Sequence, residues 1–306
     1  MAIPDIARRL SELKKERRAL ILAHNYQRPE VQDAADFVGD SVELSRRAMD
    51  EREARIILFS AVDFMAETVA ILNPGKKVLI PSLGARCPMA RMLPAETVRL
   101  WKSRYPGIPV VLYVNTLAEA KAESDVSCTS ANAVEVVEAL DSDSVLFGPD
   151  RNLACYVQAK TGKTVLPIPE NGFCPTHVLF LREDILLARE SNPDCVVMAH
   201  PECTQDVLRT ADFVGSTSQM CRYAKECPAK SFIVATEVGI LHRLARENPG
   251  KSFMPAYAGA VCPNMKRNTL DLMYQVLRDE SNVVTVPSAT AAKARRSLER
   301  MFEATR

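Results

Sequence analysis

Three cysteines, each followed by a proline, recur at nearly equal intervals: Cys87, Cys174 and Cys262 lie 87 and 88 residues apart. Each closes a stretch opened by a lysine: KKVLIPSLGARCP from Lys76, KTVLPIPENGFCP from Lys163 and KSFMPAYAGAVCP from Lys251. Equal spacing makes them one thiol at the same place in three repeats. Around an approximate threefold axis, three such sulfurs point at one centre. That is the geometry of a metal site with three protein ligands and one open position. Burial is the usual fate of a free cysteine. The shared period and proline set these three apart, whereas Cys227-Pro228 falls off the period and shows that the dipeptide alone means little. Proline suits a first helical turn, so each thiol is expected near the positive end of a helix dipole, its pKa lowered toward the thiolate that binds metal. Three thiolates favour zinc or iron–sulfur over magnesium or calcium. Structural zinc usually takes four protein ligands with close CxxC pairs, which are not visible here. A [4Fe–4S] cluster on three cysteines would leave one iron free for substrate. Cys128, Cys155, Cys195, Cys221 and Cys227 read as structural, and Cys203 is singled out only by its neighbour Glu202.

Two polar sets share the period. Ser41, Ser130 and Thr217 stand just before helix-like segments, where hydroxyl residues are ordinary N-caps. Three converging helix N-termini would offer backbone N–H groups to an anion, which suits a substrate with several carboxylates or a phosphate. His24, Tyr113 and His200 form the second set, with Tyr26, Asn115 and Glu202 two residues further on, where a strand side chain returns to the same face. Glu202 is the only acid among them and the candidate for general acid/base work. His177, three residues after Cys174, is a further candidate; His242 reads as peripheral. There is no GxGxxG and no glycine-rich phosphate loop, so a nucleotide site has no support.

The elements that position these residues repeat as well. ADFVGDS from Ala35 returns as ADFVGST from Ala211, with SDVSCTS from Ser124 as a weaker copy between them. Each unit carries four short apolar runs separated by helix-length segments, in the second unit at 110–113, 125–126, 145–147 and 165–167. Near-continuous hydrophobicity marks strands covered on both faces, so each unit reads as an α/β layer structure with a short parallel sheet. Ligands of such sheets bind beyond the carboxyl ends of the strands, where all the matched residues fall. A period near 88 is too long for a solenoid. The expected fold is therefore three pseudo-equivalent three-layer αβα domains around a pseudo-threefold axis, spanning residues 1–107, 108–194 and 195–306. The first carries an N-terminal amphipathic helix with Ile6, Leu10, Leu13 and Arg17 on one face, and the third a C-terminal helix that packs back on the first.

With 306 residues, 47% apolar and 25% charged, the composition is ordinary globular usage. A net charge of +1 gives no reason to expect nucleic acid or an anionic membrane as partner. No apolar stretch reaches bilayer length and the N-terminus has no signal-peptide core, so a cytoplasmic protein with reduced thiols is expected.

The chain resembles the quinolinate synthase family, the A protein of NAD biosynthesis. The stretches that carry the resemblance are HNYQ at His24, GDSVELS at Gly39, FMAET at Phe64, CPMA at Cys87, YVNT at Tyr113 and CTSANA at Cys128. They continue as HPEC at His200, GSTSQM at Gly215, TEVGILHRL at Thr236 and CPNMKRNTL at Cys262, an ordered set running through all three repeats. The resemblance implies one [4Fe–4S] cluster per chain on Cys87, Cys174 and Cys262, with one open iron. It implies condensation of iminoaspartate with dihydroxyacetone phosphate to quinolinate, with release of phosphate and two waters. It assigns dicarboxylate binding to His24, Ser41, Tyr113, Asn115, Ser130, His200, Glu202 and Thr217, and catalysis to Tyr26. A CxxCxxC near the last ligand, found in some members, is replaced here by Cys262-Pro-Asn-Met, so its redox control is not expected.

The leading expectation is thus an iron–sulfur synthase in which the open iron acts as a Lewis acid and Glu202, with Tyr26 and His200, moves protons. The enzyme that supplies iminoaspartate is a conceivable partner. The alternative is a non-enzymatic iron–sulfur sensor that binds a small dicarboxylate; the polar ring favours the enzyme.

Overall fold

The computed structural model describes residues 3–304, so the outermost ends of the first and third expected units lie outside it. Twelve strands form three sheets of four. The first holds β1 (Ala19–His24), β2 (Phe37–Gly39), β3 (Ile56–Ser60) and β4 (Lys77–Leu79). The second holds β5 (Val110–Tyr113), β6 (Val126–Cys128), β7 (Ser144–Gly148) and β8 (Thr164–Pro167). The third holds β9 (Val196–Ala199), β10 (Phe213–Val214), β11 (Ser231–Ala235) and β12 (Ser252–Pro255). All named pairings are parallel, and the strand order is the same in each: β2-β1-β3-β4, β6-β5-β7-β8 and β10-β9-β11-β12. With helices packed against each sheet, the αβα unit expected from the repeats is present three times. In each, the chain leaves the first strand to one side and returns to the other, so a crevice opens at the carboxyl ends between the first and third strands.

The repeated residues explain why each copy folds alike. The aspartate of each ADFVG-like segment accepts the N–H of a residue in or at the start of the neighbouring first strand: Ile21 N to Asp36, Val110 N to Asp125 and Val197 N to Asp212, each at 2.8 Å. This fixes the second strand's position without lengthening it. The lysine that opens each cysteine stretch reaches back to carbonyls at the end of a helix. Lys76 donates to the Ala48 carbonyl at 2.9 Å, Lys163 to Val137 at 3.0 Å and Leu140 at 2.6 Å, and Lys251 to Ala224 and Cys227 at 2.6 Å. A cation there satisfies orphan carbonyls and opposes the negative end of the dipole. The third strands are buried beyond their first residues, with Ile57, Leu58, Val145, Leu146, Phe232 and Ile233 inaccessible to solvent.

The N-terminal helix Ile3–Glu16 buries Ile6, Leu10 and Leu13 against Met273 and Leu277 of the helix Leu270–Asp279. Arg17 was expected on that face; the helix ends before it, and its guanidinium pairs with Glu280 at 3.1 Å. The helix Ser288–Glu303, expected to pack back on the first unit, lies mainly against the second. Ser297 Oγ meets Ser124 Oγ at 2.6 Å and Ser127 Oγ at 2.8 Å, while Arg295 reaches the Ile71 carbonyl of the first unit. No helix among the described residues is long and apolar enough to cross a membrane.

Candidate active site

The carboxyl ends of the three sheets face one cavity, and the first, second and fourth strand of each sheet send one side chain to it. Beyond the first strands lie His24, Tyr113 and His200; beyond the second, Ser41, Ser130 and Thr217; beyond the fourth, Cys87, Cys174 and Cys262. All of these, with Tyr26, Asn115 and Glu202, line the cavity, so every residue singled out for the site is brought to it. His177 lines it too, whereas His242 lies at the surface against Asp33 at 2.7 Å. Cys203 is buried, its thiol directed at the Ala235 carbonyl at 3.4 Å and not into the cavity.

Glu202 is the hub. His177 Nδ1 stands 2.6 Å from its carboxylate and Asn115 Nδ2 at 3.4 Å, and the Tyr113 hydroxyl donates to it while accepting from Ser130. Burial alone would favour the neutral acid, but His177 and His200 beside it win and hold the carboxyl low, at about 2. The other groups are driven toward neutrality. Burial brings His24 and His200 down to about 3, and pushes the phenols of Tyr26 and Tyr113 well above their ordinary range. The site therefore pairs one ionised carboxylate with the neutral imidazoles of His24 and His200 and the neutral phenols of Tyr26 and Tyr113. His177 extends this on its other nitrogen: Nε2 lies 2.8 Å from Thr236 Oγ1, which in turn meets Tyr26 Oη at 2.6 Å. Tyr26, Thr236, His177 and Glu202 thus form a continuous hydrogen-bonded path. His177 and His200 stack with ring centroids 4.5 Å apart, which fixes both rings.

Two local expectations are corrected. Ser41 and Thr217 do not cap their helices. The caps are their predecessors: Asp40 accepts from Val42 N and Glu43 N at 3.0 Å, and Ser216 accepts from Gln219 N at 3.3 Å. The third helix of the set, Ala133–Glu138, has Asn132 at its N-cap position, two residues after Ser130, with no side-chain cap; Asn132 Oδ1 accepts from Thr129 instead. The hydroxyls named from the sequence are consequently left to face the cavity, Thr217 Oγ1 accepting from Asn25 Nδ2 at 2.8 Å. The thiols differ as well. Only a single 3₁₀ turn follows each Cys-Pro, at Met89–Arg91, His177–Leu179 and Met265–Arg267. Each sulfur does receive the N–H three residues on, from Ala90, His177 and Met265. Desolvation outweighs that help: Cys87 is pushed up to about 12, and Cys174 and Cys262 are raised too. Metal binding at these thiols must release their protons.

A sequence profile of the family described as Quinolinate synthetase A protein matches residues 8–303. The chain belongs to this family. Similar proteins named quinolinate synthase include that of Methanothermobacter thermautotrophicus, 53% identical over 298 residues that cover 97% of this chain and 98% of that protein. That of Thermotoga maritima is 52% identical over 292 residues, covering 95% and 97%, and that of Pyrococcus furiosus 50% identical over 301 residues, covering 98% of each.

The donor set is compatible with iron–sulfur binding: three soft thiols at one cavity, each already given a backbone N–H. Cys174, His177 and Glu202 also place one ligand atom each within 4.8 Å of the others, a mixed set able to hold a metal ion. Sequence reasoning missed two things. Thr236 joins Tyr26 to His177, and nothing but its place in TEVGILHRL marked it. Asp63, Asp150 and Glu237, beyond the third strands, each hold the amide of one of the three cysteines. Their spacing of 87 residues was a readable signal, obscured because acids near a helix start are commonplace.

Proposed function

We propose that this chain is a quinolinate synthase that condenses iminoaspartate with dihydroxyacetone phosphate, giving quinolinate, inorganic phosphate and two waters. The supporting observation is the meeting of three period-related thiols with an ionised, buried glutamate and neutral donors in one cavity, in a member of this family. Cys87, Cys174 and Cys262 would hold a [4Fe–4S] cluster, which supplies Lewis acidity at the iron left without a protein ligand. The remaining chemistry falls to the side chains. Ser41, Ser130 and Thr217, with Asn115 and the neutral imidazoles of His24 and His200, orient the carboxylates of the substrate through hydrogen bonds. Glu202 takes a proton from the condensing intermediate, since it is the ionised base of the site. The Tyr26 hydroxyl gives a proton to a departing oxygen and is resupplied along Thr236 and His177 from Glu202, which closes the proton cycle. No observation favours a non-enzymatic sensor.

The test is anaerobic loading with iron and sulfide, followed by chromatographic assay of quinolinate from the two substrates. Formation of quinolinate with one phosphate released per product is expected. A protein with its full complement of iron that makes no quinolinate would contradict the proposal.

A further inference from the structure

The acids beyond the third strands take part in no step above, yet each is joined to its cysteine in the same way. The Cys87 N–H donates to Asp63 Oδ1, the Cys174 N–H to Asp150 Oδ2 and the Cys262 N–H to Glu237 Oε1, each at 3.0 Å. Each acid also accepts a second N–H from the start of the segment after its strand: Phe64 N at 3.0 Å, Leu153 N at 2.8 Å and Gly239 N at 2.7 Å. A backbone bond runs parallel to this in every repeat, from Asp63 N to the Ala85 carbonyl, Arg151 N to Gly172 and Val238 N to Ala260. The cysteine loop is thus tied to the rigid strand-to-helix junction, with the acid gripping the cysteine itself. In the first and third repeats the acid also binds the residue four after the cysteine, Arg91 at 2.7 Å and Lys266 at 2.9 Å. In the second repeat that place is Val178, and the preceding residue, His177, turns to Glu202 instead.

We infer that Asp63, Asp150 and Glu237 are positioning residues that preform the three thiol positions before metal arrives. Each acid fixes the amide side of its Cys-Pro turn, so the sulfur on that turn is presented toward the cavity. Because the cysteine amides are committed to carboxyl oxygens, they are withheld from cluster sulfurs. The N–H groups that remain for sulfur are those of Ala90, His177 and Met265, with Asn264 as a second donor to Cys262. Hydrogen bonds to sulfur are one of the levers that set the potential of such a cluster. This inference rests on the reading of the cysteines as cluster ligands; the form of the loops in the metal-free protein does not.

Asp63 is the best place to test it. Its Oδ1 accepts both N–H groups while Oδ2 meets only Arg91, which is partly exposed, so Asp63→Asn can keep the cysteine bond and Asp63→Ala cannot. At Asp150 both oxygens accept N–H groups, so asparagine is no such control there. Two measurements are made on wild type and both variants: amide exchange at Cys87, Cys174 and Cys262 in metal-free protein, and the rate at which an iron chelator bleaches the anaerobically loaded protein. Loss of an outer partner of a metal ligand typically costs about 10–100-fold in metal affinity, so Asp63→Ala should bleach faster by about that factor. Its exchange protection should fall at Cys87 and stay at Cys174 and Cys262, while Asp63→Asn stays near wild type in both. Wild-type exchange and bleaching in Asp63→Ala would overturn the inference, as would loss of protection at all three cysteines, which signals general loosening. If wild type itself takes up no iron, the functional proposal fails and the exchange measurement alone decides the inference.

Discussion

At the scale of single residues the site depends on an uneven distribution of charge. Glu202 stays ionised while the imidazoles of His24 and His200 and the phenols of Tyr26 and Tyr113 stay neutral, so one base faces several donors. Glu202→Gln keeps the shape and most hydrogen-bonding capacity but removes the base. Turnover should fall by about 10²–10⁴, the usual contribution of a positioned acid/base group, with cluster content unchanged. Steady-state assay of iron-matched samples checks this, and near-normal turnover would reduce Glu202 to a binding role. The buried histidines give a pH dependence with a definite sign. An unfolded histidine takes its proton near pH 6.5, while His24 and His200 resist theirs down to about 3. Across that window the unfolded chain binds more protons, so each contributes a loss of stability on acidification of about 1.4 kcal/mol per pH unit. Urea unfolding of the metal-free protein over this range should show a shallower slope for His24→Gln than for wild type; equal slopes would mean that His24 is not held neutral. The period in the sequence disclosed which residue types belong here. It could not disclose which oxygen caps a helix, because Asp40 and Ser41, or Ser216 and Thr217, differ by one place and both are plausible caps.

At the scale of elements, each sheet is short and gains its stability from what covers it. The helix Ser288–Glu303 inserts Leu298, Ala294 and Met301 into the largest core cluster, beside the second sheet's edge strand β6 and the first unit's helix Asp63–Leu72. Leu298 is fully buried, so Leu298→Ala should cost about 2–5 kcal/mol from lost transfer energy and residual cavity. Denaturant titration measures it, and a loss well under 1 kcal/mol would mean that this helix is not part of the cooperative core. The strands were legible because β-branched runs buried on both faces leave a continuous apolar trace, as in Ile56–Ser60 and Ser231–Ala235. The turns after Cys-Pro were not. Met89–Arg91 is followed by Leu93-Pro94, which ends one turn and starts the next helix at Ala95; the apolar pattern on both sides suggested a single helix.

At the scale of the whole molecule, a threefold repeat puts three sets of strand-end residues around one centre, and departures from the repeat mark the chemistry. Three cysteines follow the fourth strands, three hydroxyls the second, and His24, Tyr113 and His200 stand at or just past the ends of the first. The asymmetric residues His177 and Glu202 meet only because the second and third units face each other across the cavity. That encounter could not be read from a linear period, since they lie at different positions of their repeats. The central claim is that the three thiols hold four irons and leave one of them open to a substrate carboxylate. Mössbauer spectroscopy of protein loaded anaerobically with ⁵⁷Fe, before and after addition of quinolinate, tests it most directly. The account predicts that one iron of the four changes its signal when the diacid is added and that the other three do not. Four irons with spectra unchanged by the diacid would contradict it.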